Sequence, residues 1–343
     1  MSEKQYADSS EDKSSPSPTH VLIEKNPINK ANNNKKAMSW SFSNSEDEQT
    51  TCCEGTFFTM PETDTKKCLR LITYMSPGLP VELFETIRDY LEQVTGLEAS
   101  LLYESRFDGP TLDRINPFTE DEVDIGFMSS TAFVRQLKNG NKHVKLCNAA
   151  AYHLHRKNTG RPIYFGDVII RKDDETKYKE FYDLRGHKWA YDKENSLSGN
   201  LIVLDHLKKM GFNSTFFGNI LVSGSHLNSI KMVLDHAVDA ASIDSSVLAA
   251  YFNQHPDQQK KLVVLTSLGP CPSYPIVFNT RLPDDLKETI TAALLEMGKK
   301  PDWTHRLNSF KVGGFLPTDM ALYDMQTEIT ESIKGLSIST AYY

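Results

Sequence analysis

Short apolar runs alternate with amphipathic stretches along the chain from Cys68 onward. Residues 69–74 form an apolar run that predicts a buried strand, and a helical pattern of apolar positions follows between Pro80 and Gly96. Proline suits the first turn of a helix and glycine suits its end, so these two residues predict the helix boundaries. Repeated strand–helix units of this kind predict an α/β fold with mainly parallel sheets covered by helices. The further apolar runs are residues 99–103, 123–128, 144–147, 163–170, 220–222, 238–243 and 262–265.

Hydroxyl and carboxylate side chains occupy the turns that follow several of these predicted strands. In open α/β sheets, ligands bind beyond the carboxyl ends of the strands, where such turns meet. We therefore expect these turns to form a ligand cleft. The residues that share this placement are Ser76, Ser129, Ser130, Ser196, Ser198, Ser225 and Asp244.

The turn at residues 195–200, Asn-Ser-Leu-Ser-Gly-Asn, lies between the apolar run 188–191 and a helical pattern. The first N–H groups of a helix have no internal partner, and the helix dipole places partial positive charge there. Ser196 and Ser198 add hydroxyl donors, while Gly199 allows a ligand to approach the backbone closely. The turn therefore predicts a site for an anion or for the polar end of a small molecule. An ordinary helix cap built from Asn and Ser would have the same sequence, so both interpretations stay open.

Composition excludes some classes of protein. The chain has 343 residues, of which 39% are hydrophobic and 24% charged, as is typical of soluble globular proteins. The net charge of −7, with no basic block to offset it, argues against nucleic acid as a partner. The sequence also lacks the motifs of dinucleotide, nucleoside triphosphate, zinc-peptidase and α/β-hydrolase sites.

The cysteines and the start of the chain bear on its location. The number of cysteines is odd and their spacing does not fit a zinc site, which favours free thiols in a reducing compartment. The longest early apolar run, residues 21–23, is too short for a signal peptide or a membrane span. We therefore predict a cytoplasmic protein without direct membrane insertion. The cysteines are Cys52, Cys53, Cys68, Cys147 and Cys271.

Residues 1–65 are rich in Ser, Asn, Lys, Glu, Asp and Pro, with few hydrophobic residues. Such a segment buries too little apolar surface to offset the entropy of ordering, so we predict a disordered polar tail. The acidic serine patches at residues 9–12 and 43–48 resemble acceptor sites of an acidophilic kinase, although a solvated linker has the same composition.

Several motifs occur together in one order and spacing. Taken together they resemble the phosphate/phosphite/phosphonate substrate-binding proteins of bacterial ABC transporters, over roughly residues 68–330. The segments that carry the resemblance are Asp-Leu-Arg-Gly at 183–186, Trp-Ala-Tyr at 189–191, Asn-Ser-Leu-Ser-Gly at 195–199, Phe-Phe at 216–217, Ser-Gly-Ser-His at 223–226, and Val-Asp-Ala-Ala-Ser-Ile-Asp at 238–244.

This resemblance implies a type 2 periplasmic-binding-protein-like fold. Such proteins have two α/β lobes, each a mixed, mainly parallel sheet flanked by helices, and they close by a hinge over a ligand. Carried onto this chain, lobe one is residues 66–170 plus 266–343, and lobe two is residues 171–265. The two crossing strands would be residues 164–170 and 264–270.

The resemblance also implies roles for particular residues. Ser196, Ser198 and Gly199 match the hydroxyl-rich turn that takes the oxyanion in phosphonate-binding relatives. His226 and Asp244 match positions that face the cleft, where they can meet a polar or cationic end of the ligand. Either of these two residues could instead cap a helix.

Four more residues are carried over to the cleft only by their position after strands, and core packing or capping is the preferred explanation for each of them. They are Tyr74, Ser76, Ser129 and Ser130.

Two functions from different classes follow. The first is a small-molecule binding protein, an intracellular carrier or sensor, for an anionic or zwitterionic ligand such as a phosphonate or phosphate, with no cofactor. The alternative is an enzyme on the same two-lobed fold that acts on a small metabolite such as a vitamin precursor. Absence of a convincing set of nucleophile, base and orienting residue favours binding.

Two further chemistries have weaker support in the sequence. His153 and His155 could bind a metal from one face of a strand, but no nearby Asp, Glu or Cys completes a set of ligands. Cys271 could act as a nucleophile with His226 as its base, or it could be a buried, inert thiol. We therefore expect no metal and no catalytic residue.

Overall fold

The computed structural model describes residues 68–74 and 78–336. The predicted disordered tail, its two serine patches and Ser76 lie outside the described residues. Within them the strands are β1 Cys68–Tyr74, β2 Glu98–Glu104, β3 Ile125–Phe127, β4 Val144–Leu146, β5 Ala149–His153, β6 Ile163–Arg171, β7 Lys188–Tyr191, β8 Asn219–Val222, β9 Ala240–Asp244, β10 Leu262–Pro272, β11 Ile276–Asn279 and β12 Val312–Pro317. The α-helices are α1 Val81–Thr95, α2 Ser130–Lys138, α3 Ile202–Lys209, α4 His226–Leu234, α5 Ser245–Gln254, α6 Pro256–Gln259, α7 Asp284–Met297, α8 Pro301–Ser309 and α9 Asp324–Ser332.

The first sheet has the strand order β2-β1-β3-β11-β4. Strand β1 pairs in parallel with β2 and β3, and β11 runs antiparallel to both β3 and β4. Helix α1 covers this sheet with Leu83, Phe84, Ile87 and Leu91, whose spacing of three and four residues places them on one face. Pro80 precedes α1 and Gly96 ends it in the left-handed conformation with φ 68°, which confirms both predicted boundaries.

The second sheet has the strand order β10-β6-β9-β7-β8. Strand β7 pairs in parallel with β8 and β9, whereas β6 runs antiparallel to β9 and β10. All nine residues of β6 are buried, as expected for a strand that is covered on both faces. Trp189 of β7 is fully buried and stacks on Phe217, with ring centroids 4.4 Å apart.

Two long strands carry the chain between the sheets. The chain leaves the first sheet after β4, enters the second through β6, and returns through β10 to β11. Strands β6 and β10 pair antiparallel from Arg171 and Leu262 to Ile163 and Pro272. These strands contain the two predicted crossing segments, and the predicted two-lobed α/β arrangement of mixed sheets flanked by helices is confirmed.

The last helix packs beside the second sheet. Ile329 of α9 and Ile333 belong to the same buried cluster as Leu204 and Leu207 of α3. The exact division of the chain into lobes at residues 66–170, 171–265 and 266–343 stays a prediction. None of the helices in the described part of the chain is both long and apolar enough to cross a membrane.

Candidate functional site

A cavity of about 340 Å³ lies where turns from both sheets meet. It is lined by residues 78–82, 129–131, 195–198 and 224–227, together with side chains of α5. The first two segments belong to the half of the fold built on the first sheet, and the others to the half built on the second sheet. A ligand in this cavity would therefore contact both halves.

Four helical segments begin at the cavity. Helices α1, α2 and α4 and the turn of helix that precedes α3 all start within its lining. Ser129, Ser196 and Ser225 cap three of these starts, since their hydroxyl oxygens accept from N–H groups three residues later at 3.0–3.2 Å. These three serines are therefore helix caps, and a serine that caps a helix can still line a ligand site. The helix N-termini direct the positive ends of their dipoles into the cavity, which favours an anion, whereas Glu82, Asp108 and Asp192 in the lining carry the opposite charge.

The turn at residues 195–200 is held in place by a hydrogen bond from strand β9. It forms one turn of π-helix, Leu197–Leu201, which leads directly into α3. The Ser242 hydroxyl donates to the backbone oxygen of Ser198 at 2.6 Å. Ser198 Oγ lies 3.4 Å from His226 Nε2 at the cavity wall. The backbone of this turn is fixed, so its hydroxyl groups are positioned before a ligand arrives.

His226 and Asp192 form a second polar pair in the lining. His226 Nε2 lies 3.5 Å from Asp192 Oδ2, and both side chains are about nine-tenths buried. His226 Nδ1 and Asp192 Oδ1 are buried and have no hydrogen-bond partner among the described residues. Buried polar atoms without partners are unfavourable, and Asp192 Oδ1 is covered by Gly199 of the serine-rich turn at residues 195–200.

Asp244 lies beneath the cavity and does not line it. Its side chain is fully buried, and Oδ1 caps α5 by accepting from the N–H groups of Ser246 and Val247 at 2.7 and 3.2 Å. Oδ2 accepts a short hydrogen bond from the Tyr274 hydroxyl. Burial raises the pKa of Asp244, although these bonds and the nearby His226 oppose the shift. The N-cap alternative for Asp244 is therefore confirmed.

Tyr274 stands between Asp244 and the cavity. It lines the cavity, as does Tyr164, and the two rings stack with centroids 5.1 Å apart. Both tyrosines have pKa values well above the ordinary value because they are buried. They are therefore neutral hydroxyl groups at physiological pH.

Two hydrogen bonds cross the cavity mouth. The Asn195 side-chain amide donates to Asp108 Oδ2 at 3.4 Å, and the Thr131 hydroxyl donates to the Asn195 backbone oxygen at 3.3 Å. Asp108 also accepts from the Ser129 hydroxyl at 3.1 Å. These contacts join the segment after β2, which carries Asp108, and the start of α2, which carries Thr131, to the turn after β7.

The structure brings together five of the nine residues predicted from the sequence. Gly199 lies directly behind the lining, and Tyr74 lies in the core with 4% exposure, where burial raises its pKa above the ordinary value. Tyr74 therefore packs as the core alternative predicted, and the position of Ser76 is outside the described residues. The five residues in the lining are Ser129, Ser130, Ser196, Ser198 and His226.

Sequence reasoning missed Asp192, Asp108, Tyr164 and Tyr274. Asp192 directly follows β7, so the rule that polar residues after strands form the cleft could have found it. Tyr274 comes two residues after β10, within the sequence Pro-Ser-Tyr-Pro. Nothing local in that sequence indicates that its hydroxyl reaches Asp244.

The structure also shows where the residues considered for a metal site and for a cysteine nucleophile lie. Among residues 68–74 and 78–336 there is no group of three or more His, Cys, Asp or Glu that could hold a metal ion. His155 Nε2 lies 3.3 Å from Asp167 Oδ1, while His153 is buried elsewhere. Cys271 is fully buried and burial raises the pKa of its thiol, which is the reverse of what a nucleophile requires.

Residues 70–323 match a family model described as "ABC transporter, phosphonate, periplasmic substrate-binding protein". The match covers well over half of the chain. The chain belongs to this family. The resemblance seen in the sequence motifs is therefore confirmed, and the protein is a member of a family of ligand-binding components.

The predicted cytoplasmic location is wrong. The family is described as the periplasmic component of an ABC transporter, which overturns the inference from the early sequence and the cysteines.

Solved structures share the fold. PhnD1 from Prochlorococcus marinus, solved with methylphosphonate, has a TM-score of 0.62 at 16% identity, covering 79% of this chain and 99% of its own. PA3383 from Pseudomonas aeruginosa, a binding component of an ABC phosphonate transporter, has a TM-score of 0.62 at 18% identity. The match covers 78% of this chain and 86% of PA3383. XAC2383 from Xanthomonas citri, solved with ATP, has a TM-score of 0.56 at 17% identity. The match covers 78% of this chain and 98% of XAC2383. Identities this low show the fold alone, and the type 2 periplasmic-binding-protein-like fold is confirmed. No curated protein matches the chain.

Proposed function

We propose that this protein binds a small organic phosphonate or a related oxyanion in the 340 Å³ cavity and closes over it by a hinge. The observation that carries the proposal is the buried Ser198 hydroxyl at a cavity where four helical segments begin. This arrangement offers hydrogen-bond donors and positive potential at one place.

The oxyanion would be held by hydroxyl groups from both halves of the fold. Ser196 and Ser198 approach from the turn before α3, and Ser130 approaches from the start of α2, beside Ser129, whose hydroxyl donates to Asp108. Gly199 allows this turn to lie close against Asp192. Hydrogen bonds to a charged oxygen are roughly twice as strong as those between neutral groups, so a few such donors give substantial affinity.

A cationic group on the ligand would have acceptors nearby. Asp192 and Asp108 both line the cavity. His226 stands between Asp192 and Ser198, at 3.5 and 3.4 Å. A zwitterionic phosphonate with an amino group therefore fits the proposal as well as a simple anion.

Closure is supported by the way the chain connects the two sheets. Strands β6 and β10 form a paired connection, and the contacts of Asn195 with Asp108 and Thr131 join the two walls of the cavity. A ligand between such walls shifts the equilibrium toward the closed form because it binds both walls only there.

The periplasmic family and the methylphosphonate complex of PhnD1 support a phosphonate ligand. The intracellular role expected from the sequence is not part of the proposal, because the location on which it rested is wrong. The enzyme alternative gains no support from Cys271, whose thiol is buried. Modification of the serine patches by a kinase remains a prediction from the sequence.

Titration calorimetry tests the proposal with methylphosphonate, aminoethylphosphonate and inorganic phosphate as probes. We expect one of them to bind, and Ser198→Ala to weaken that binding by about 1.5–3 kcal/mol, the usual cost of a hydrogen bond to a charged group. Ser309→Ala, an exposed serine at the end of α8, is the matched control and should leave affinity unchanged. Failure of all three probes to bind at millimolar concentration would overturn the proposal.

A further inference from the structure

The charged side chains in the lining of the 340 Å³ cavity are mainly acidic. Carboxylates of Glu82, Asp108 and Asp192 line it. Among the described residues of the lining, Lys193 is the single lysine or arginine. An oxyanion in this cavity would therefore meet more negative than positive charge unless a cation lies close to it.

The ammonium group of Lys193 is free to bind a ligand. The carboxylates of Asp108 and Asp192 already have polar partners. The Lys193 side chain is half-buried, and its ammonium group has no hydrogen-bond or ion-pair partner within residues 68–74 and 78–336. A lysine ammonium carries three donors on a flexible stem, so it can move to meet a ligand.

The backbone holds Lys193 beside the serine-rich turn. The N–H group of Ser196 donates to the backbone oxygen of Lys193 at 3.1 Å, which closes a turn over residues 193–196. The two Cα atoms at the ends of such a turn lie less than about 7 Å apart. The extended side chain of a lysine spans a comparable distance. The Lys193 ammonium therefore reaches an oxyanion that the Ser196 hydroxyl holds.

We propose that Lys193 binds the oxyanion of the ligand and makes the cavity select an oxyanion with two negative charges over one with a single charge. The inference rests on the proposed function and adds the residue that sets its charge preference. The serine hydroxyls and helix N-termini can hold either kind of oxyanion, because their donors are neutral groups. The Lys193 ammonium attracts the doubly charged oxyanion more strongly and offsets its repulsion by the carboxylates of the lining.

Methylphosphonate and methanesulfonate test this preference on the full chain, since each is a tetrahedral oxyanion on a methyl group. At about pH 9 methylphosphonate carries two negative charges, whereas methanesulfonate carries one. Titration calorimetry, with displacement of methylphosphonate for the weaker ligand, measures both affinities. We expect Lys193→Met, which keeps the stem and removes the charge, to reduce the ratio of the two affinities by about tenfold. Lys193→Arg keeps the charge and should keep the preference.

Lys188→Met is the matched control. Lys188 is exposed at the start of β7 and does not line the cavity, so this variant loses the same charge outside the site. Both affinities should stay unchanged. Acetylation gives an independent measurement of contact, read by peptide mass spectrometry. Methylphosphonate should slow the acetylation of Lys193 and leave that of Lys188 unchanged.

The outcomes separate this inference from the proposed function. If methylphosphonate binds but Lys193→Met leaves the ratio of affinities unchanged, the role of Lys193 is wrong and the proposed function stands. Equal losses for both ligands in Lys193→Met and in Glu82→Gln would also overturn it, and would mean that Lys193 pairs with Glu82 across the cavity. If no oxyanion binds at all, both proposals fail.

Discussion

Asp192 Oδ1 lies directly against Gly199, so that a Cβ atom added at Gly199 would be 1.9 Å from that oxygen. The close approach brings the carboxylate under the serine-rich turn, where its other oxygen faces His226 at 3.5 Å. Gly199 therefore acts by leaving room for Asp192. The sequence motif indicated closeness to a ligand, whereas the structure shows closeness to a second side chain of the site.

Replacing Gly199 by Ala should therefore displace Asp192. We expect Gly199→Ala to lower the free energy of unfolding by about 1–3 kcal/mol, the usual cost of overpacking, and to weaken ligand binding. Chemical denaturation and calorimetry measure the two effects. The double variant Asp192→Ala/Gly199→Ala removes the clashing oxygen, so it should be more stable than the sum of the single changes predicts. Strict additivity would contradict the steric explanation.

The stability of the protein should depend on pH through Asp244. Burial raises the pKa of this carboxyl above the ordinary value of 3.8, so the folded state binds its proton more strongly than the unfolded state. This contribution to stability is complete below the ordinary pKa and is lost as the pH rises through the folded-state pKa. Asp244→Asn keeps a helix cap but does not titrate. The free energy of unfolding of the variant relative to the parent should therefore increase as the pH is raised from about 4 to neutrality.

Asp239 supplies the control for this experiment. Burial raises its pKa, but the hydrogen bonds from Lys188 N–H and Arg171 outweigh burial, and the net shift is downward. Asp239→Asn should therefore show a slope of the opposite sign that is confined to the acid range around and below pH 4, and almost no slope between about pH 5 and neutrality. Equal slopes for Asp239→Asn and Asp244→Asn would contradict the assignment to Asp244.

The contacts of Asn195 across the cavity mouth should slow ligand release. Asn195→Ala removes the hydrogen bond to Asp108, and we expect dissociation to become roughly threefold to tenfold faster, as loss of one neutral-to-charged bond at a partly exposed site implies. Stopped-flow displacement measures this rate. Asn228→Ala is a suitable control because its amide bonds only within its own turn, to Ser223 O. Equal dissociation rates for both variants would show that the mouth contact is irrelevant to release.

The described cysteines should differ in reactivity. Burial raises the pKa of Cys147 to about 11 and also raises that of Cys271, whereas Cys68 is half-buried. Iodoacetamide at neutral pH should therefore label Cys68 in the native protein and reach Cys147 and Cys271 only after unfolding, as read by peptide mass spectrometry. Rapid native labelling of Cys271 would revive the nucleophile considered for an enzyme.

Local signals in the sequence were sufficient for several individual strands, helices and turns. The apolar run at 69–74 and the pair Pro80 and Gly96 predicted β1 and α1 because strand burial and helix caps are local properties. The turn at 195–200 was recognised for the same reason. Strand β11 was not predicted, since its four residues are a short apolar run with no helix-coupled pattern, although it occupies an inner position in the first sheet.

The rest of the site depends on distant contacts. Tyr274 meets Asp244 only because β6 pairs with β10 on one side and with β9 on the other. His153 lies near Tyr274 where the Ser273 hydroxyl donates to the backbone oxygen of Ala151 in β5. No periodicity along the chain encodes such meetings. Asp192 is different, because its place immediately after β7 was a local signal that sequence reasoning could have used.

The position of β11 also sets an order of events during synthesis. The strands of the second sheet lie within residues 163–272, whereas β11 at Ile276–Asn279 fills the gap between β3 and β4. All strands of the second sheet have therefore been synthesised before β11. Until β11 is made, β3 and β4 each have an unpaired edge where β11 will lie. The amino-terminal strands are made first but must wait for the later half of the chain, and in that interval their edges are exposed to aggregation.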